Sequence, residues 1–273
     1  MNLKKIVRWV SPPILLDIYR RCRHISPGPG HHIWEGIYKH YRDVPIAGEN
    51  LGGPSWVQIT RAKTEAAFTD LRNCGTVPTR VTGDQSLLPL LASIVGKDSR
   101  RIRVLDFWGG MGIDYIHLIS SVVACQSIDY YVIETEKMCK ECSLLFAKDN
   151  RIHFCSSIPT DLSDIDIIHM VSVLQYIEDY AALIRTLCAY KAKCFLFVRL
   201  SVGDVPTYAT AQKNVPGMTL AYWFINVNEI IEVMSANGYS LIFKSASEQE
   251  YDQNNFPQQY RMGRTCNLLF SRD

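Results

Sequence analysis

The segment Arg103-Val104-Leu105-Asp106-Phe107-Trp108-Gly109-Gly110-Met111-Gly112 carries the clearest chemical signal in the chain. An apolar run leads into an acid and then into Gly109, Gly110 and Gly112. Glycine is needed in such a turn because a Cβ would hold a ligand away from the backbone or forbid the turn geometry. Glu134 stands 22 positions after Gly112, at the end of a second apolar run. An acid about 20 residues beyond a glycine-rich turn is placed to accept hydrogen bonds from ribose hydroxyls. The order of apolar run, glycine turn, apolar run and acid predicts a site for a nucleoside-containing cofactor.

Two cofactor classes compete for that site. A dinucleotide fingerprint requires three glycines, but the frame Gly110-Met111-Gly112-Ile113-Asp114-Tyr115 puts a tyrosine at the third. Its bulk conflicts with the close helix–strand packing that the third glycine permits. Asp106 would repel a pyrophosphate, whereas it suits a cofactor bearing a sulfonium and an ammonium group. An NAD(P)-dependent oxidoreductase is therefore the second reading, and a cofactor-binding protein without catalysis the third.

The elements that must position these residues follow from periodicity. From residue 101 the pattern alternates between strands and helices. Strands are predicted at Ile102 to Phe107, Tyr130 to Glu134, Ile152 to Cys155, Ile165 to Val171 and Phe195 to Leu200, with a final pair at Tyr239 to Lys244 and Cys266 to Phe270. Helices are predicted at Ile113 to Val123, Glu136 to Lys148, Asp179 to Tyr190 and Asn228 to Asn237, the last capped by Asn226 or Asn228 and closed by Gly238. Continuous apolar strands alternating with helices call for a parallel sheet covered on both faces. The last two strands have no helix between them and should pair antiparallel at one edge.

Val104-Leu105-Asp106 with its glycines resembles the first motif of class I S-adenosylmethionine (SAM) dependent methyltransferases, and Glu134 resembles that family's ribose-binding acid. Asp166-Ile167-Ile168 leading to Ser172-Val173-Leu174-Gln175-Tyr176-Ile177 is similar to the family's fourth strand and the loop after it. The antiparallel terminal pair matches as well. The strings Leu-Asp-Phe with its glycines, Val-Leu-Gln-Tyr-Ile and Tyr222-Trp223-Phe224-Ile225-Asn226, with Pro12-Pro13 in a basic leading segment, further resemble a bacterial family read as methyltransferases. Members of that family often occur among surface-polysaccharide biosynthesis genes. Trp108 departs from the broader pattern, which prefers glycine there.

The resemblance implies an α/β Rossmann-like fold with a mostly parallel seven-stranded sheet, its last strand antiparallel, over residues 99–273; residues 1–98 are expected to form a mostly helical cap that closes over the carboxyl ends of the strands and excludes water. It implies SAM as cofactor, held by Asp106, Gly109, Gly110, Gly112, Tyr115, Glu134, Ser157, Ser172 and Gln175. Gln175 and Tyr176 follow the fourth strand, where this fold faces the methyl group, and with Arg199 they are the candidates for chemistry. Arg199 could hold an anionic acceptor by a bidentate contact or sit in a structural ion pair. Methyl transfer from a sulfonium is an in-line displacement, and a hydroxyl acceptor calls for a base. No clear base is present: His169 reads as a hydrogen-bonded core residue and His117 similarly. Trp34, Tyr222 and Trp223 could stack on a sugar. The implied acceptor is a small molecule or glycan, its hydroxyl methylated in surface-polysaccharide biosynthesis.

Composition fits this reading. Hydrophobic residues make up 47% and charged residues 21% of the 273, the balance of a protein with a substantial core. A net charge of +2 gives no global footprint for nucleic acid. The charge is uneven, however: Lys4, Lys5, Arg8, Arg20, Arg21 and Arg23 against Asp17 give residues 1–24 a net +5. With the apolar stripe Leu3, Ile6, Val7 and Val10, that segment could lie on an anionic membrane surface or dock on its own domain. No run of 18 apolar residues or signal-peptide pattern is seen, and nine cysteines suit a reducing compartment, hence a cytoplasmic location. The lone Cys139-x-x-Cys142 pair has no zinc-type partner pair, and His31-His32 in a Gly/Pro loop reads as solvated, so no metal is expected. Trp34, Tyr38 and Tyr41, at near-helical spacing, predict a short packed helix, and residues 57–96 read as helices with loops.

Overall fold

A computed structural model describes residues 32–48, 51, 53–73, 81, 83–97, 101–122, 127–214 and 217–273. The basic segment 1–24, Pro12-Pro13 and His31 lie outside the described residues. Contacts gather the chain into two units, Met1–Ile33 and Trp34–Asp273. All that follows concerns the second.

In chain order its elements are β1 (Trp34–Tyr38), α1 (Pro54–Asn73), α2 (Leu87–Val95), β2 (Ile102–Phe107), α3 (Ile113–Ser121), β3 (Ile128–Ile133), α4 (Glu136–Leu145), β4 (Ile152–Cys155), β5 (Ile167–Val171), α5 (Tyr180–Cys188), β6 (Cys194–Leu200), β7 (Val202–Gly203), β8 (Tyr208–Gln212), β9 (Leu220–Asn226), α6 (Val227–Ser235), β10 (Tyr239–Glu250) and β11 (Arg264–Arg272).

The main sheet has seven strands in the order β10-β11-β6-β5-β2-β3-β4. β2 pairs in parallel with β3 on one side and β5 on the other, Val104 lying opposite both Tyr130 and Ile167. β11 alone runs antiparallel, to β6 and to β10. The terminal pair is thus antiparallel as expected, but the last strand returns inward and leaves β10 at the edge. Side chains alternate between two cores, as the strand period requires. Leu105, Phe195 and Phe197 face one cluster with Ile184, Ile230 and Phe270. Val104, Leu196 and Val198 face the other with Ile116 and Leu118 of α3 and Leu91 of α2. This is the Rossmann-like α/β architecture that the alternation implies. Local chemistry starts three of the helices. Thr135 caps α4 by accepting from Met138 N, Asp179 caps α5 by accepting from Ala182 N, and Asn226 caps α6 by accepting from Asn228 N.

A second sheet, β1-β8-β9-β7, was not foreseen from the sequence. One of its two central strands, β8, reads Tyr-Ala-Thr-Ala-Gln, too short and too polar for a periodicity signal, yet it is buried throughout. The helix expected around Trp34, Tyr38 and Tyr41 is instead strand β1 followed by a short 3-10 turn at Tyr41–Asp43. Trp34 lies opposite Gln212 and Tyr38 opposite Ala209. Pairing with residues far along the chain overrides the local spacing, a context effect typical of strands. Residues 54–73 and 87–95 are helical, as read.

Candidate functional site

The carboxyl ends of β2, β3, β5 and β6 form one edge of the main sheet, where open α/β sheets bind ligands. Three residues other than glycine adopt a left-handed backbone there: Trp108 after β2 (φ 55), Ser172 after β5 (φ 54) and Arg199 at the end of β6 (φ 53). Such conformations cost on the order of 1–3 kcal/mol each, must be held by their surroundings, and cluster at functional sites. Trp108 N donates to Ile133 O at 2.9 Å and Ser172 N to Val198 O at 2.9 Å. Arg199 N donates to Asn267 Oδ1 at 2.9 Å, and Asn267 Nδ2 in turn donates to Asp84 Oδ1 at 2.8 Å. The φ of Trp108 explains why a glycine would serve at that position. Its indole stacks on Phe107 at 6.1 Å and packs against the core.

The glycine turn is tight for a stated reason. A Cβ on Gly109 would come 2.1 Å from Asp106 Oδ2, and one on Gly112 (φ 74) would come 2.9 Å from Ile152 Cδ1. Gly110 (φ 59) faces the helix α1: a Cβ there would meet Thr60 Cγ2 at 3.1 Å. Trp56 and Val57 of α1 pack with Met111 and Met138. The N-terminal helix therefore lies directly over the turn.

Glu134 lies one residue beyond β3, across from that turn, and is largely buried. Its Oε2 accepts from Thr135 N at 2.8 Å. Burial raises the pKa of the carboxyl above the ordinary glutamate value, against the lowering effect of the Thr135 and Gly110 backbone N–H groups. A carboxylate cradled by backbone donors at this position keeps lone pairs for a diol.

Asp106 differs from expectation. It is fully buried, accepting from Tyr130 OH at 2.7 Å on one oxygen and pairing with His169 Nδ1 at 3.0 Å on the other. Both oxygens of its carboxylate are engaged by the protein. His169 is the hydrogen-bonded core residue that the sequence suggested. Burial works against its charged form, but Asp106 and then Asp114 raise its pKa above the ordinary imidazole value. Asp114, in the first turn of α3, and His117 one turn later lie 3.6 Å apart (Oδ1 to Nδ1). Asp106, Asp114 and His169 bring their ligand-type atoms within 4.8 Å of one another, a grouping that sequence spacing did not show.

Tyr115 is not brought to the site. Its ring is fully buried between Tyr130 and Phe146, and its hydroxyl donates to Asp149 Oδ2 at 2.5 Å. No surface is left for a cofactor. Ser157 is exposed, two residues beyond β4. Ser172 Oγ donates to Arg199 O at 3.2 Å, tying the ends of β5 and β6 together. Cys139 and Cys142 are buried thiols on α4, the second pushed up to about 12 by burial, so neither is a reactive thiolate.

No family model matches the chain, and no curated protein does. Solved structures share its outline only loosely. The magnesium protoporphyrin IX methyltransferase of Synechocystis PCC 6803, with S-adenosylhomocysteine (SAH) bound, is 15% identical, with a TM-score of 0.46 over 79% of this chain and 98% of that one. The 1,6-didemethyltoxoflavin-N1-methyltransferase of Burkholderia thailandensis is 14% identical, with a TM-score of 0.48 over 83% and 94%. A SAM-dependent methyltransferase of Mesorhizobium loti is 15% identical, with a TM-score of 0.45 over 68% and 96%.

On the β5–β6 side, Gln175 and Tyr176 form a short 3-10 turn after β5. Gln175 is buried, and its Oε1 has no hydrogen-bond partner among the described residues. Tyr176 OH donates to Gln212 Oε1 of β8 at 2.8 Å, and its ring meets Tyr222 edge-on at 5.0 Å. Tyr222 OH shares hydrogen bonds with Ser201 Oγ and, at 2.7 Å, with Tyr251 OH. Burial raises the pKa of Tyr176, Tyr222 and Tyr251, so all three stay protonated donors and none is a base at neutral pH. Trp34 packs on Tyr222 at 4.7 Å, and its Nε1, also buried, has no partner among the described residues. Trp34, Tyr222 and Trp223 are all buried, so their faces lie against protein and are not presented to a sugar. Sequence reasoning missed Asp114, Ser201 and Tyr251. Only the Asp114–His117 spacing, right after a glycine turn, could have signalled one of them.

Proposed function

We propose that this chain is a SAM-dependent methyltransferase acting on a small-molecule acceptor. The observation that carries this reading is the juxtaposition of the Gly109–Gly112 turn after β2 with the buried Glu134 carboxylate after β3. The residues present fit the cofactor through Glu134, an acid with acceptor capacity left for a ribose, while the missing Cβ at Gly109 makes room for the Asp106 carboxylate beneath the turn. Glu134 would hold the ribose, the turn would admit the cofactor backbone to backbone, and Ser157, Ser172 and Gln175 would line the remainder. SAM supplies an electrophilic methyl group on a sulfonium. Asp106 acts behind this site, anchoring His169 and Tyr130 beneath the turn. The helix α1, lying over Gly110, excludes water from the bound cofactor.

The acceptor is a hydroxyl on a sugar or sugar-derived intermediate of surface-polysaccharide assembly, with the enzyme in the bacterial cytoplasm and residues 1–24 meeting the anionic face of the membrane. Support for the acceptor comes from the resemblance of the chain's sequence strings to those of the polysaccharide-linked family. Stacking does not add to it, since the candidate rings are buried. Among the described residues no helix is long and apolar enough to cross a membrane, and such contact would be peripheral.

Thermal-shift titration tests the cofactor: SAM and SAH should raise the unfolding midpoint and NADH should not, because only a ligand of the native state stabilises it. A shift with NADH alone would transfer the site to the oxidoreductase class. Labelled SAM with nucleotide sugars, glycan extracts and small phenols tests the acceptor. Transfer to a phenol or an amine, with none to any carbohydrate, would discard the glycan.

A further inference from the structure

A cavity of about 1000 Å³ opens at the opposite edge of the main sheet, where the amino ends of β2, β5 and β6 meet the last residues of β11. Five cations line it: Arg101 and Arg103 at the start of β2, Lys191 and Lys193 just before β6, and Arg272 at the end of β11. Asp164 and Asp166 are its acids. The six residues of β2, about 20 Å of strand, separate it from the Gly109–Gly112 turn. It is therefore a second site and not an extension of the first.

Carboxylates account for three of these cations. Asp166 is largely buried, and both its oxygens are engaged, one by Arg103 N at 2.9 Å and the other by Lys193 Nζ at 2.8 Å. Asp129 is shared by Arg101 and, at 3.5 Å, by Arg103 Nε. Arg103 Nη1 also donates to Ser163 O at 2.7 Å and lies 3.5 Å from Asp164 Oδ2. Lys191 and Arg272 remain, and neither pairs with a carboxylate among the described residues. They are side by side, because the Arg272 guanidinium donates to the backbone carbonyl of Lys191.

The backbone is strained here as it is at the other edge. Besides Trp108, Ser172 and Arg199, the described residues other than glycine with a left-handed backbone are Asp164 (φ 55) and Lys191 (φ 53), and both line this cavity. Such strain gathers where chains bind ligands. Ile158, Leu162 and Tyr190, all half-buried, give the cavity apolar wall. Its volume is at the upper end for a site that takes an organic molecule and far exceeds what a bare phosphate needs.

We propose that this cavity binds a phosphate monoester with an apolar body. The phosphoryl group lies between Lys191 and Arg272, and the body lies against Ile158, Leu162 and Tyr190. A monoester carries close to two negative charges at neutral pH, which matches two cations that have no carboxylate. Arg272 supplies a planar fork and Lys191 a point charge. The site does not rest on the methyltransferase reading.

The test is calorimetry on the full chain at low, constant ionic strength, since salt screens exposed charges. The probe is 1-naphthyl phosphate, with 1-naphthol and inorganic phosphate as controls. The ester should bind saturably, about tenfold or more tighter than inorganic phosphate because its ring is buried, and 1-naphthol should not saturate. Lys191→Asn keeps a residue type at home in the left-handed region. That variant and Arg272→Gln should each weaken the ester about tenfold or more, the scale of a lost charge-assisted hydrogen bond. Arg272→Lys should retain part of the affinity. Both positions are exposed, so the unfolding midpoints should stay at the wild-type value. Saturating SAH should leave the affinity for the ester unchanged. The proposal is overturned by an ester that does not bind the wild type, or that binds no tighter than phosphate or than 1-naphthol. Affinity indifferent to both substitutions would overturn it as well, and so would displacement by SAH, which would put the probe in the cofactor site. Failure of SAH to bind would remove the methyltransferase reading and leave every one of these outcomes for the cavity in force.

Discussion

The two sides of the sheet's carboxyl edge handle their buried polar groups differently. Around β2 and β3, both oxygens of Asp106 are engaged, by Tyr130 and His169, and Glu134 takes backbone donors. Around β5, β6 and the second sheet, Gln175 Oε1, Trp34 Nε1 and Arg199 Nε have no partner among the described residues. Buried polar atoms are rarely left so, and each exception calls for a reason. The first side is the more fully engaged one, with His117 Nδ1 on α3 and Thr64 Oγ1 on α1 its unpartnered atoms among the described residues, and it suits one constant cofactor. The second holds hydrogen-bonding capacity in reserve, which is what recognition of a particular acceptor requires.

Substitutions on the more engaged side should cost the most. Asp106→Ala leaves His169 buried beside Asp114 without its main partner, and should lose about 3–5 kcal/mol of folding stability in urea titration. A loss below about 1 kcal/mol would mean that Asp106 does not hold this side together. Gly109→Ala drives a methyl to within 2.1 Å of Asp106 Oδ2; the overpacking should destabilise by about 1–3 kcal/mol and abolish detectable SAH binding.

Glu134 sharpens the contrast at intermediate size. Glu134→Ala should weaken SAM binding by about 1–3 kcal/mol in calorimetry, the range for a lost charged hydrogen bond; unchanged affinity would refute its ribose role. The pH dependence has a definite sign. The folded-state pKa of Glu134 is raised, chiefly by burial, so this carboxyl favours the folded state at low pH and that contribution is lost as pH rises through the folded value. Cofactor binding runs the other way, because the ribose needs the ionised form. Affinity should therefore fall as pH drops through a value above the ordinary glutamate range, and Glu134→Gln should flatten that dependence.

The smallest effect on stability belongs to the other side. Gln175→Met keeps the volume and removes a carbonyl that has no partner, so stability should change by less than about 1.5 kcal/mol while turnover falls. A large destabilisation with turnover intact would reverse the comparison and make Gln175 structural.

The cofactor side could be read from sequence because its parts are contiguous. Strand, glycine turn, helix, strand and acid occupy residues 102 to 134, and the order of such elements fixes their geometry once a right-handed crossover is assumed. What order alone does not give is orientation. Tyr115 and Asp106 were placed by motif position, while packing against Phe146 and pairing with His169 decide where their side chains point. Trp34, Tyr38 and Tyr41 failed for a different reason: spacing that mimics a helix was settled as a strand by β8, about 175 positions away.

By itself, then, the sequence determined the alternation of elements, the glycine turn and its acid, because these depend on period, backbone freedom and residue order over short distances. The tertiary structure alone decided the second sheet, the tyrosine hydroxyl cluster and the cover of α1 over Gly110. Each of those joins residues whose separation along the chain carries no local signal. Their meeting is set by which faces the cores bury, and no window of sequence contains that information.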